Sequence, residues 1–153
     1  MTAPLTAGTH MVVFDLPDQA GRRVTSESLR GSWYLLYWYP KADTAGCTAQ
    51  AQGLQAQFDV FADYRCVVLG ASFDSVDELI AFREGQGLTF DLLSDADRSS
   101  ARAMGVAGPD GSASHAQRVA FLVRPDGIIA RRYDVEDPAF FAELVLDDLD
   151  VLS

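Results

Sequence analysis

Apolar and polar positions follow two rhythms along this chain, and the places where the rhythm changes mark its predicted elements. WYLLYWY, residues 33–39, is an unbroken apolar and aromatic run that stops at Pro40. A run of that length without a polar face predicts a strand buried on both sides. The period then lengthens: Cys47, Ala51, Leu54, Phe58 and Phe61 fall at offsets of 4, 7, 11 and 14. Those offsets trace one stripe of a helix over residues 47–64, which Gly53 weakens without forbidding.

The same reading extends to both ends. VVFDL (12–16) predicts a short strand and PDQAGRR (17–23) a turn. CVVLGAS (66–72) predicts a second buried strand. Ser75 and Glu78 then stand in the capping-box spacing that opens a helix, SVDELIAFREG. FDLLS (90–94) predicts a strand, and DRSSARAM a helix ending at Gly105. RVAFLV (118–123) and IIARRY (128–133) flank Arg124-Pro125-Asp126-Gly127, a hairpin signal. Asp137 and Pro138 suit the N-cap and first position of a last helix, with Phe141, Leu144, Val145, Leu149 and Leu152 as its apolar face. Strands alternating with helices before a closing hairpin imply an α/β protein with a central mixed sheet flanked by helices. That is the order of a thioredoxin-like fold with an N-terminal extension.

Length and charge narrow the function classes. The 153 residues, 48% hydrophobic, suit one domain spanning 1–153. With 22 acidic against 12 basic side chains the net charge is -10, which repels phosphate backbones and anionic lipid surfaces. No apolar run is long enough to cross a bilayer, and the N-terminus lacks a signal-peptide pattern. Two cysteines do not make a disulfide scaffold, so a cytoplasmic protein with reduced thiols is expected.

The chemistry concentrates on Cys47. It falls in the first turn of a helix just beyond the carboxyl end of a buried strand, where open α/β sheets bind ligands. Unpaired amides and the positive end of the helix dipole there favour thiolate. Thr44 can hydrogen-bond a small molecule or the sulfur, and Pro40 ends the strand and can roof a pocket. Taken alone, the spacing also fits a structural cysteine in a strand-to-helix loop.

Pro40-Lys41-Ala42-Asp43-Thr44-Ala45-Gly46-Cys47 resembles the P-x-x-x-[TS]-x-x-C loop of peroxiredoxins. FDLPDQAGRRV, LRGSWYLLYWYPKADTAGCT, VVLGAS, FDLLSDAD, RVAFLV and PDG resemble, in order, the PrxQ or bacterioferritin-comigratory-protein group, over residues 12 to 135. The resemblance implies that Cys47 is a peroxidatic cysteine, attacking a hydroperoxide and becoming a sulfenic acid, without metal, haem or flavin. It implies that Thr44 and the Cys47 amide contact the peroxide. Arg118 matches the family's distal arginine, whose fixed charge would orient substrate; without the family it would read as a surface ion pair.

Some positions depart from the family pattern. Where many PrxQ proteins carry a resolving cysteine, five residues on, this chain has Gln52. Cys66, beyond the far end of a helix about 27 Å long, reads as a buried strand residue. A one-cysteine enzyme is therefore expected, resolved by an external thiol such as thioredoxin or glutaredoxin, as a monomer or weak homodimer. Gln50 replaces a frequent glutamate, leaving the anchoring of the arginine open, and Ala120 replaces a hydroxyl residue. His10 and His115 lack metal-site spacing, and Asp147, Asp148 and Asp150 read as a solvated face. A peroxide sensor with little turnover, or an inert interaction domain, shares much of this pattern.

Overall fold

Strand Trp33–Trp38 (β3) lies at the centre of the molecule, and its neighbours explain where the chemistry can sit. The computed structural model describes residues 3–108 and 114–153. The polar stretch around His115 therefore lies partly outside the described residues. Ahead of β3, Asp15–Pro17 (β1) and Arg23–Thr25 (β2) pair antiparallel as a small hairpin. The predicted strand at 12–16 thus begins later, and its turn leads into a second strand too short for any periodicity to announce. Asp18, only 2% exposed, closes that turn by accepting from the amides of Ala20 and Arg22.

The main sheet adds Cys66–Ser72 (β4), Asp91–Ser94 (β5), Val119–Val123 (β6) and Ile129–Asp134 (β7). Its spatial order is β5-β4-β3-β6-β7, with β3, β4 and β5 parallel and β6 and β7 antiparallel to their neighbours. Tyr34 to Trp38 are all buried, so β3 is covered on both faces, as its unbroken apolar run requires.

Alternate side chains divide the core. Leu35, Tyr37 and Tyr39 pack with Ala51, Leu54, Phe61 and Phe82 on one side of the sheet. Tyr34, Leu36 and Trp38 pack with Phe14, Leu69 and Met104 on the other. Residues i and i+2 of a strand share a face, so one aromatic run feeds both layers.

The helix predicted over 47–64 is two helices, Ala45–Ala56 (α1) and Phe58–Asp63 (α2), interrupted at Gln57. Gln57 has φ −104° and ψ 12°, outside helical values, so the chain bends between them. The stripe survives the break: Cys47, Ala51, Leu54 and Phe61 are buried and Phe58 is partly so. Helix Val76–Gln86 (α3) carries the expected capping box, Ser75 with Glu78, and ends at Gly87 with φ 64°. Helix Ser99–Met104 (α4) ends at Gly105, also left-handed, where the Ala3 carbonyl packs so close that no Cβ fits.

The last helix opens differently from expectation. A 3₁₀ turn, Pro138–Phe140, precedes Phe141–Leu152 (α5), and the Asp137 side chain makes no capping bond. Leu144 is 55% exposed and leaves the apolar face, where Ala142 takes its place beside Phe141, Val145 and Leu149. Nor are the late aspartates all free in solvent: Tyr133 donates to Asp148 and Tyr64 to Asp150.

Candidate active site

Sheet register brings together residues that stand 71 apart in the chain. Tyr37 of β3 lies opposite Ala120 of β6. Two positions on, at Tyr39 just past the end of β3, the same register reaches Arg118, the residue just before β6. The chain turns after Pro40 into α1 at that same edge, and Cys47 is the third residue of the helix. The result is direct contact: Arg118 Nη2 lies 3.4 Å from Cys47 Sγ. Cys47 itself is 1% exposed. A nucleophilic atom is thus recessed beside a fixed cation at the N-terminal end of a helix.

Gln50 and Gly46 hold the guanidinium in place. Gln50, one helical turn after Cys47 on the same face, accepts from Arg118 Nη1 at 2.7 Å through Oε1. The anchoring that the replacement of glutamate left open is supplied by a neutral amide. Gly46 provides the room, because a Cβ there would stand 3.0 Å from Arg118 Nη2. Sequence reading missed Gly46. Its position one residue before the cysteine was the available signal, and the approach itself is a tertiary fact.

The loop before α1 is tied down from beneath. Asp74, whose side chain is 2% exposed, pairs with Lys41 Nζ at 2.7 Å, and Lys41 also meets Glu78. Asp74 further accepts from the Ala42 amide at 2.8 Å and from Ser72 Oγ at 2.8 Å. Asp43 takes a left-handed conformation, φ 66°, inside this loop. Thr44 is exposed, and its hydroxyl donates to the Lys41 carbonyl at 2.8 Å, away from the sulfur. Without a side-chain cap from Thr44, the first-turn amides of α1, that of Cys47 among them, keep their donors for another acceptor. Pro40 is half-buried just after the Tyr39 amide makes its bond to Ala71 of β4.

Three buried polar atoms stand without partners among the described residues: Tyr37 OH, Tyr39 OH and Gln50 Nε2. Each such atom costs about 1–3 kcal/mol. Burial holds the Tyr37 phenol well above its ordinary range, with Tyr39 and then Cys47 adding to the effect and Arg118 opposing it. Tyr39 is raised likewise, first by burial.

Cys66 stands at the other end of the sheet, opposite Trp33 at the start of β3. Six strand steps, on the order of 20 Å, separate that end from the edge where Cys47 follows. Both cysteines are free, and burial pushes the Cys66 thiol up to about 12. His10 and His115 are exposed, and Ala120 is fully buried between Tyr37 and Tyr133 in the sheet. Among the described residues no helix is long and apolar enough to cross a membrane.

Known proteins resemble this chain in sequence and fold. The pattern of the AhpC/TSA family matches residues 7–132. The chain is 38% identical to the peroxiredoxin Bcp of Escherichia coli over 135 residues, 86% of each protein. It is 36% identical over 151 residues to a putative peroxiredoxin of Mycobacterium tuberculosis, covering 95% of this chain and 96% of that one. In three dimensions it matches the peroxidoxin BcpB of Mycobacterium tuberculosis at a TM-score of 0.90 and 29% identity, over 97% and 99% of the two chains. The bacterioferritin comigratory protein of Xanthomonas campestris, solved to give insight into its alkyl peroxide reduction activity, matches at a TM-score of 0.86 and 27% identity over 99% of each chain. The sheet and its flanking helices are thus those of a thioredoxin-like peroxiredoxin fold.

Proposed function

This chain belongs to the AhpC/TSA family, among its Bcp and PrxQ peroxiredoxins, and from that premise we propose that Cys47 is the peroxidatic nucleophile. The protein is a thiol-dependent peroxidase; relatives named as peroxiredoxins favour turnover over sensing. The observation that carries the assignment of the residue is the 3.4 Å approach of Arg118 Nη2 to Cys47 Sγ.

The Cys47 thiolate attacks the terminal oxygen of a hydroperoxide. The S–O bond forms as the O–O bond breaks, and the electron pair leaves with the second oxygen, which takes up a proton as water or an alcohol. Negative charge moves from sulfur to the leaving oxygen. Arg118 and the free amides of α1 face that path, so they stabilise the transition state more than the bound peroxide. Thr44 gives its hydroxyl proton to the Lys41 carbonyl and keeps its lone pairs to accept from the peroxide O–H, and Pro40 covers the site. Hydrogen peroxide and small organic hydroperoxides are the substrates of this reading; the alkyl peroxide reduction activity named for the Xanthomonas relative supports the second class.

Sulfenic Cys47 is then reduced by an external thiol, thioredoxin or glutaredoxin. Gln52 in place of a nearby cysteine and the distance to Cys66 support that route. The whole chain, residues 1–153, acts as one domain in the cytoplasm, as a monomer or weak homodimer. Peroxide consumption with thioredoxin and its reductase, set against glutathione with glutaredoxin, tests the scheme. Cys47→Ser should abolish consumption with either system; a variant that keeps most of its turnover rules the assignment out.

A further inference from the structure

The three buried polar atoms without partners among the described residues belong to Tyr37 and Tyr39, whose phenols feel the charge of Cys47, and to Gln50, which holds the arginine beside it. Tyr37 and Tyr39 share an apolar cluster with Cys47, and their ring centroids are 5.5 Å apart. Gln50 is one turn beyond Cys47 on α1. Tyr37, Tyr39 and Gln50 are each 1% exposed. Buried polar groups are nearly always satisfied, so their concentration at the reactive residue points to something they bind there.

The chemistry of the three is constrained. Gln50 cannot exchange its amide ends, because Oε1 accepts from Arg118, so the free atom Nε2 is a donor. The Tyr37 phenol is shielded and stays protonated, also a donor. Its ring occupies space left by Gly70, where a Cβ would stand 3.0 Å from Tyr37 Cζ. Tyr39 lies beside Ser72, whose Oγ donates to the Asp74 carboxylate and accepts from the Asp74 amide but keeps a second lone pair toward the phenol, so Tyr39 is the least free of the three. Together they form a set of buried donors, distinct from the guanidinium and the helix amides.

We infer that Tyr37 OH and Gln50 Nε2, with Tyr39 OH beside them, receive the oxygen that Cys47 acquires on oxidation. This rests on the peroxidase reading above. The first step converts Cys47–S⁻ and ROOH into Cys47–SOH and RO⁻; sulfur is oxidised and peroxide reduced. Rotation about the Cβ–Sγ bond then turns the S–O bond inward. Over-oxidation converts Cys47–SO⁻ and a second ROOH into Cys47–SO₂H and RO⁻, using a sulfur lone pair. Donors on the sulfenate oxygen withdraw that density and slow this step. Resolution is affected in the opposite sense. A thiolate R′S⁻ attacks Cys47–SOH to give Cys47–S–SR′ and OH⁻, and the same donors stabilise the departing hydroxide. A chain with no cysteine five residues after the first gains from both effects.

Tyr37→Phe and Tyr39→Phe remove the hydroxyls and keep the rings. The test treats reduced protein with graded hydrogen peroxide and follows dimedone-trapped sulfenic and sulfinic Cys47 by intact mass. Reduction of the sulfenic acid by glutathione is timed separately. The ratio of second to first oxidation rates should rise about tenfold in Tyr37→Phe, the effect of losing one hydrogen bond to a charged group. Glutathione reduction should slow together with it, while the melting temperature holds or rises. A merely structural role would lower the melting temperature and leave the ratio alone. Ratios within twofold of wild type in both variants overturn the inference and leave the peroxidase reading standing. Failure to trap any sulfenic acid in the wild-type protein removes that reading, and the inference with it.

Discussion

Gln50 Oε1 accepts a 2.7 Å hydrogen bond from Arg118 Nη1, and this neutral anchor leaves the full charge of the guanidinium to the sulfur beside its other terminal nitrogen. A carboxylate at the same place would share that charge. Replacing Gln50 by alanine frees the arginine without altering its charge. Losing a hydrogen bond to a charged group should slow Cys47 oxidation about tenfold. Stopped-flow oxidation with hydrogen peroxide measures it. Arg118→Ala should be slower still, and equal rates for Gln50→Ala and wild type would mean that the guanidinium is held by other means.

Gly46 separates activity from stability. It lies within α1, where alanine is the better helix former by about 0.5–1 kcal/mol. Its added Cβ would meet Arg118 Nη2 at 3.0 Å, and the flexible end of the arginine must give way. Gly46→Ala should therefore melt no lower than wild type yet oxidise roughly three- to tenfold more slowly, since a small misplacement of a reacting group is costly. An unchanged oxidation rate would show that the contact has slack.

The Lys41 latch has a defined pH window. Lys41, then Ser75, hold the Glu78 carboxyl at about 2, below its ordinary 4.5. A depressed acid contributes stability above its ordinary value and loses it as pH falls through the folded one. Lys41 is raised, by Asp74 first and Glu78 next, so its share is present below its ordinary 10.5 and holds throughout that acid range. The melting deficit of Glu78→Gln should be constant above pH 4.5 and fade toward pH 2. A deficit of the same size across that range would exclude the linkage.

Cys66 should be silent. Burial in β4 pushes its thiol up to about 12, so at neutral pH almost none is thiolate. Iodoacetamide at neutral pH should label Cys47 and spare Cys66 in the folded protein, as peptide mapping would show. Cys66→Ala should keep thioredoxin-coupled turnover within about twofold, because its sulfur lies at the far end of the sheet. A stoichiometric Cys47–Cys66 disulfide within one chain would overturn both expectations.

Periodicity carried much of the architecture because burial on one face or two writes itself into residue spacing. WYLLYWY read as a covered strand and is one, and the stripe from Cys47 to Phe61 read as helical and runs along two helices. The capping box at Ser75 and the left-handed Gly105 ending α4 were equally visible, since each depends on residues within one turn; Gly87, which ends α3, was not read. Features that depend on distant partners were not. The bend at Gln57, the exposure of Leu144 and the bonding of Asp148 and Asp150 follow from what α1, α2 and α5 pack against.

The candidate site divides along the same line. By itself the sequence determined that Cys47 opens a helix behind a buried strand, because proline, a polar loop and a new period are local facts. Only the tertiary structure decided that Arg118 stands against the sulfur, that Gln50 holds it and Gly46 admits it, and that the Thr44 hydroxyl turns to Lys41. The physical reason is register: antiparallel pairing of β3 with β6 sets which side chain arrives at the edge where α1 begins.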